Sequence, residues 1–572
     1  MDRISLLPPE IRCMIAGECD SRTLRSLSLV STAFRDPAQR ALFRSIDQLF
    51  ERQADVRALG RPGAINRYRT SWIYLLLRTI FECPRFASYV RHVHISVDES
   101  WTPVPFYNNR KENIIRSPKR VVPPEFKELG LKRKNKKPFL LHSSTWNKTW
   151  VAALSQGNDE AMLAVALSQF DLLTSIDIAP ELFYYSEFIA AMLARLSSPN
   201  PKFNHFPMLQ HVSLCRRETH HHSGELGLGF KKFSIMRYHN IRTLELSAHD
   251  SHMNIMRKDL FNTHPYLTTL RLKFCDLTIS TVGEILDHTP ALKVFECYLL
   301  REYSSNTHQA YNHQSMMLSE LNFGQLATDL EKVASTLEEL TIGVAWSSVG
   351  FYAYEEEPSW FRGIPVYSLR HLEHLSHLQI PVEILMGLRP WTGPLLSQTL
   401  PPNVESLVLV DMLPYPYCED YLENYSAMPI MNQLEIYLAE DPPRKLRKVT
   451  VNVYINLEFC FFYSCEQEVR RYIDLDEVRL LGVSLGNRGI SLEICFLWTE
   501  YDEATPLWKG IWGPGTEIEL SDLSLHFAPV STPEGETESE EEEDSEEAED
   551  DDDGYEGSGE EEEEGRKRRR TE

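Results

Sequence analysis

Several things are scarce in this 572-residue chain. Its 10 cysteines are scattered, which excludes the dense disulfide framework of a small secreted protein and suits a reducing compartment. No run approaches the ~18 uninterrupted apolar residues of a membrane-spanning helix. Met1–Arg12 lacks the apolar stretch and small-residue cleavage site of an export signal. These absences predict an intracellular protein of the nucleus, the cytoplasm or both, without membrane contact. The sequons at Asn147 and Asn424 are then chance matches.

Catalytic motifs are also scarce. There is no P-loop, no dinucleotide-type G-x-G-x-x-G and no H-E-x-x-H. Gly482-Val483-Ser484-Leu485-Gly486 fits G-x-S-x-G. A nucleophile elbow, however, needs a strand before it and a helix after it, and here another strand-like run follows. His220-His221-His222, with Cys215, His205 and His211 nearby, offers zinc-type donors. Adjacent histidines beside Gly224, Gly227 and Gly229 seldom converge on one ion, and a polar loop is the simpler reading. Cys460 and Cys465 lack a second pair and read as strand thiols among phenylalanines. The sequence therefore predicts no enzyme, no metal site and no cofactor.

What is present is enough apolar residue, 42%, to bury a sizeable core. The net charge of −24 is unevenly spread. From Glu534 to Glu572 there are 22 acidic and 5 basic residues, a net of −17, so the rest of the chain carries only −7. Runs such as Glu540–Asp544 repel themselves and predict a disordered acidic tail over 531–572, with a basic end at Arg566–Arg570. Arg110 to Lys137 has 11 basic and 3 acidic residues and predicts a basic, disordered insertion over about 104–140. Both basic runs fit nuclear import signals as well as solvated loops.

Across the body the pattern apolar-x-x-apolar-x-apolar recurs. It appears ten times, beginning at Val90, Leu173, Leu209, Ile241, Leu267, Leu292, Leu337, Leu375, Val404 and Leu446. Leu267-x-x-Leu270-x-Leu272-x-x-Cys275-x-Leu277 is the full leucine-rich-repeat signature. The closing alternation predicts a short strand buried on one face. Helical stretches at Phe188–Leu196, Thr281–Asp287 and Leu326–Leu337 lie between copies. Spacings of 36, 32, 26, 25 and 45 residues from Leu173 to Leu337 exceed the compact repeat of about 20–29 residues, so the expected fold is an irregular leucine-rich-repeat-like α/β solenoid. Ordinary α/β strands are the alternative. Between Glu468 and Ser524, Val478–Leu481, Ile490–Ile494 and Ile518–Leu520 read as further strands at the capping end.

The first forty-odd residues predict three short helices. Pro9 suits a first helical turn. Asp20 or Ser21 caps the second helix, and Asp36-Pro37 starts the third. So small a unit buries too little to stand alone, so it is either a structural cap on the next domain or a docking module.

The ordered set Leu7-Pro8-Pro9-Glu10-Ile11, Ile15, Leu24–Ser31, Phe34 and Leu42–Ile46 resembles an F-box. The chain as a whole resembles the fungal-type F-box proteins with leucine-rich-repeat-like C-terminal regions. Gly17-Glu18-Cys19 departs from the family's more apolar helix end. The resemblance implies an F-box over 1–48, a helical linker over 49–89 containing a buried helix at Trp72–Phe81, a repeat domain over 90–530 and the tail over 531–572. It implies a substrate-recognition subunit of an SCF-type ubiquitin ligase, docked on a Skp-type linker subunit and through it on cullin, with the repeats holding an unidentified protein substrate. Leu7, Pro8, Ile11, Ile15, Leu24, Leu27, Val30 and Phe34 would meet the linker or hold the box together. The alternative is a scaffold without ligase engagement, whose acidic tail holds basic nuclear partners by charge complementarity.

Overall fold

A computed structural model of the protein describes residues 6–50, 72–97, 150, 153–154, 158–179, 182, 188–189, 192, 206–215, 240–247, 264–275, 277–301, 323–346, 368–386, 394–410, 434–437, 445–455, 475–500 and 503–512. All of them belong to one compact unit. The basic insertion, the His220–His222 tract, Cys460, Cys465, Ile518–Leu520 and the acidic tail lie outside the described residues.

The chain opens with three helices, α1 (Pro9–Gly17), α2 (Ser21–Val30) and α3 (Thr32–Arg44). Asp20 caps α2, its carboxylate accepting from Thr23 N at 2.7 Å. The third helix differs from expectation. It starts four residues before Asp36, with Ser31 as its cap, and Pro37 sits inside it. Proline has no N–H for the carbonyl four residues back. That carbonyl, Ala33 O, instead accepts from Arg12 Nη1 at 2.7 Å, which ties α1 to α3. Asp36 is free of capping duty. It pairs with Arg40 at 2.7 Å and accepts from Tyr89 Oη at 2.7 Å.

From Arg44 the backbone passes straight into β1 (Ser45–Phe50), so the expected boundary at 48/49 falls within a strand. Helix α4 (Trp72–Glu82), a 3-10 turn (Pro84–Tyr89) and β2 (His92–Val97) follow. Then come α5 (Asp159–Leu167), β3 (Ser175–Ile178), β4 (His211–Leu214), β5 (Thr243–Leu246) and β6 (Thr269–Cys275). Next are α6 (Ile279–Asp287), β7 (Val294–Arg301), α7 (Phe323–Leu330) and β8 (Glu339–Trp346). The unit closes with β9 (His377–Pro381), β10 (Ser406–Val410), β11 (Lys448–Ile455), α8 (Leu475–Gly486), β12 (Ser491–Glu500) and β13 (Glu503–Trp512).

The thirteen strands among the described residues form one sheet in sequence order. Strands β1 to β12 are parallel, and β13 returns antiparallel against β12. Every copy of the apolar pattern lands on a strand of this sheet, so the fold is a leucine-rich-repeat-like solenoid. Its central apolar positions form one unbroken cross-strand row, from Ile46 through Val93, Ile176 and Val212 to Val449 and then Leu492. Each member is buried. The leading apolar residues, Val90 to Leu446, are buried beneath the strand starts. Together these rows make one continuous core from Ile46 to Ile494.

Two features depart from the strand and helix expectations. Val478–Leu481 is helical, within α8. Leu481 and Leu485, four apart, are buried, whereas Leu480 and Val483 face solvent. That 3.6-residue period overrides the local apolar run. Helix α5 has no counterpart among the expected helices, because it is buried all round from Ala161 to Leu167 and shows no amphipathic stripe.

Helices α6 and α7 pack closely at Gly283. A Cβ there would overlap the buried Asp329 carboxylate. Lys332 holds that carboxylate at 2.8 Å and reaches Asp287 at 2.9 Å. Gly283→Ala should therefore destabilise the protein by about 1–3 kcal/mol, seen as a lower midpoint in urea unfolding. An unchanged midpoint would mean that the two helices do not meet this closely.

Candidate protein-binding surfaces

The three-helix unit has a very small core of its own, consisting of Ala16, Leu24 and Ala38 flanked by Cys19, Leu27, Ala41 and Leu42. The residues expected to meet a linker subunit divide accordingly. Leu24 and Phe34 are buried, and Leu27 and Leu7 are half-buried. Pro8 is exposed, Ile11 and Ile15 are each 39% exposed, and Val30 is 79% exposed. Leu6, Met14 and Leu29 join the exposed set. Ile11, Met14 and Ile15 share one side of α1 by helical spacing. The Arg12 bond to Ala33 ties that helix to the start of α3. At the Gly17-Glu18-Cys19 departure α1 does end, and Cys19 Sγ folds back on Ile15 O at 3.2 Å.

This unit is fastened to the repeats. Phe43 of α3 stacks on Phe86 with centroids 4.5 Å apart and planes 7° from parallel. Arg40 lies 5.4 Å from the Tyr89 ring centre. Arg85 donates to Gln39 at 3.1 Å. Burial and the bond to Asp36 push the Tyr89 phenol upward.

The second surface is the outward face of the sheet. One residue beyond the central buried position of each strand lies on the other face of the sheet, and register sets these in a row from Asp47 on β1 to Glu493 on β12, with Thr450 and Glu493 at the far end themselves buried. His94 Nδ1 lies 2.6 Å from Asp177 and its Nε2 lies 3.9 Å from Asp47. Arg271 bridges Glu245 at 2.5 Å and Glu296 at 3.0 Å. The hydrogen bond that Arg271 donates to Glu245 raises the Arg271 pKa, with Glu296 and Glu339 adding to it against burial. Burial, then the Arg44 cation, His211 and Arg91, lower that of His92. Tyr298 lies across Gly343, where any Cβ would strike its ring, and accepts from Gln379 at 2.8 Å. This crossing had no sequence signal beyond the glycine itself.

Gly482–Gly486 forms the end of α8, not a strand–turn–helix elbow, and Ser484 is exposed. Among the described residues no three His, Cys, Asp or Glu side chains gather as a metal would need. Among them, too, no helix is long and apolar enough to cross a membrane.

No family model matches the chain. No curated protein matches it either. Among solved structures it is similar to the leucine-rich repeat-containing protein LegL7 from Legionella pneumophila, at 13% identity and a TM-score of 0.24, over 58% of this chain and 86% of that one. The solenoid assignment rests on the register and burial of this chain's own strands.

Cys215 lies beside the row, just after β4. Burial first, and then the Glu245 carboxylate, push its thiol up to about 12. Thiolate is the reactive form, so at pH 8 Cys215 should resist iodoacetamide while the exposed Cys13 and Cys83 are alkylated. Peptide mass spectrometry reads the difference, and equal labelling would place Cys215 at the surface.

Proposed function

We propose that this protein is the substrate-recognition subunit of an SCF-type ubiquitin ligase. In this reading the three helices dock on a Skp-type linker subunit, through it on cullin, and the repeat sheet holds the protein to be modified. The observation that carries it is the apolar set left open on α1 and α2. Ile11, Met14, Ile15, Leu29 and Val30 face solvent on a small unit that buries Ala16, Leu24, Phe34, Pro37 and Ala38. Exposed apolar clusters of this kind favour a protein partner. The aromatic and ionic joint to Pro84–Tyr89 supports the same reading, because a recognition subunit has to hold its substrate at a fixed offset from its ligase. A sheet with one open face suits protein–protein contact.

Buried and open residues make separable predictions. Ile11→Asp with Val30→Asp should abolish co-elution with a Skp-type linker subunit in size-exclusion chromatography, with the melting temperature of the free chain unchanged. Phe34→Ala, which empties a fully enclosed site, should instead cost about 3–5 kcal/mol of stability. Free elution of a folded wild-type chain would refute the ligase reading and favour a scaffold whose acidic residues hold basic partners.

A further inference from the structure

Several turns that lead into the strands share one shape. The leading leucine N–H donates to the carbonyl three residues back: Leu173 to Phe170 and Leu209 to Phe206 at 3.2 Å, Leu267 to His264 at 3.3 Å, and Leu292 to Thr289 at 3.2 Å. The residue just before that leucine therefore takes the same place in each turn, and the strand register holds the turns level. Before β3, β4 and β6 it is Leu172, Met208 and Tyr266, which are 37%, 47% and 59% exposed. Between the last two, Asn240 of the β5 repeat folds onto the neighbouring turn, donating to Pro207 O at 2.9 Å. Past Ala291 the position turns polar, with Thr336, His374, Asn403 and Lys445. An exposed apolar row thus runs along the strand-start edge from β3 to β6, and rows of this kind favour a protein partner.

The β2 repeat shows what this position can hold. There it is Tyr89, directly before Val90, and a helix of the same chain lies against it. Asp36 of α3 accepts from Tyr89 Oη at 2.7 Å, and Arg40 of α3 lies 5.4 Å from the ring centre. The exposed row continues this helix joint onto the next repeats. The edge is also cationic. The four residues before each of β1 to β6 hold three cations, Arg44, Arg91 and Arg242, and one carboxylate, Asp171. Arg91 donates to Ser88 O and Val90 O, and among the described residues none of the three cations pairs with a carboxylate. Burial first, then Arg44, His211 and Arg91, lowers the His92 pKa, so these cations are felt at the strand starts. The carboxylates farther along the strands, Asp177 and Glu245, are held by His94 and Arg271.

A helix rises ~1.5 Å per residue, so side chains three or four apart lie roughly 5 Å apart along its axis and those seven apart roughly 10 Å. Neighbouring strands lie ~4.8 Å apart, which puts Met208 one such step from Leu172 and Tyr266 two steps from Met208. A helix with an apolar stripe fits the row, and carboxylates beside that stripe fit its rim. We propose that this edge, with Leu172, Met208 and Tyr266 rimmed by Arg91 and Arg242, docks an acidic amphipathic helix of a partner protein alongside the chain's own α3. The surface is separate from α1–α2 and from the outward face of the sheet, so it stands apart from the ligase reading.

The test uses the full-length chain and a fluorescein-labelled helical peptide. The peptide carries leucines at intervals of three and four, glutamates on both flanks of that stripe and one photo-crosslinking residue within it. Fluorescence anisotropy reads affinity, and mass spectrometry of the crosslinks reads the site. Wild type should bind, with crosslinks at residues 171–172, 207–208 and 265–266. M208S/Y266S should weaken binding about tenfold, and R242Q should weaken it less while flattening its salt dependence. All three changes are at exposed positions, so the melting temperature should hold. No binding, an unchanged affinity in M208S/Y266S, or equal binding of a peptide with lysine in place of glutamate would overturn the proposal. Crosslinks confined to Lys132–Lys137 or Arg566–Arg570 would overturn it too, leaving an attraction of charge alone. Two results would give the edge to another occupant and so overturn it. One is a dimer of the free chain that M208S/Y266S abolishes, which makes the occupant a second copy. The other is peptide binding only after the acidic residues of 531–572 are replaced by serine, which makes it the chain's own acidic run.

Discussion

One backbone contact, repeated at every strand start, sets the geometry of this protein. The carbonyl just before a strand accepts two successive N–H groups from the next repeat. Arg91 O takes Thr174 N and Ser175 N at 2.8 and 3.0 Å, and Arg242 O takes Thr268 N and Thr269 N at 2.9 Å each. The series runs from Arg44 to Ser491, with a single N–H taken at each end, by Arg44 O and by Arg447 O. Because each repeat is anchored at the same point, every strand begins level with its neighbour. The leading leucine then drops into the core beneath the joint, and the two alternating apolar residues follow it. Buried backbone groups need partners, and this arrangement supplies them with no fixed helix length between strands. That is why spacings from 25 residues (Leu267 to Leu292) to 83 (Val90 to Leu173) are compatible with one register. Doubling a flexible connection costs only about 0.6 kcal/mol, while a one-residue slip would turn every apolar side chain outward.

The same ladder draws the N-terminal helices into the solenoid. Arg44 ends α3 and its carbonyl accepts from Arg91 N at 2.9 Å, so the helical unit and the sheet share a residue. Phe43 on Phe86 and Asp36 with Arg40 and Tyr89 then fix the angle. Pro37 contributes by omission, since the carbonyl it leaves free recruits Arg12. The three helices thus get their position from the repeats rather than from their own small core, and their outer apolar residues are left facing solvent.

The sheet was legible because its signal is a spacing, not a propensity. Ten copies of a 3-then-2 apolar interval fell on ten strands, even where valine, isoleucine or cysteine replaced leucine. Strand β1 keeps only the first half of the interval, with Phe43 and Ile46 followed by Gln48, and those residues also fit the closing element of the helical unit, so one stretch serves both. Val478–Leu481 misled because a short apolar run carries no period; the decisive residue was Leu485, outside the run. Asp36-Pro37 misled because a proline inside a helix is costly, and here the Arg12 contact offsets part of that cost. On α1 and α2 the apolar positions were readable, but their division was not. Leu24 and Val30 look alike in sequence, and only packing buries one and exposes the other.

The proposed recognition face lies where the pattern is silent. The interval that specifies the core says nothing about the residue between its last two members, and that residue is the outward row. Such positions are constrained only by their cross-strand neighbours, as where Tyr298 requires Gly343 beside it and meets Gln379 beyond. A chain built this way can change what its face attracts without disturbing how it folds. Its charge pattern is therefore set strand by strand and becomes visible only once the register is known. Asp47, Asp177, Glu245 and Glu296 are separated by 130, 68 and 51 residues in sequence, yet the ladder places them on alternate strands of one face.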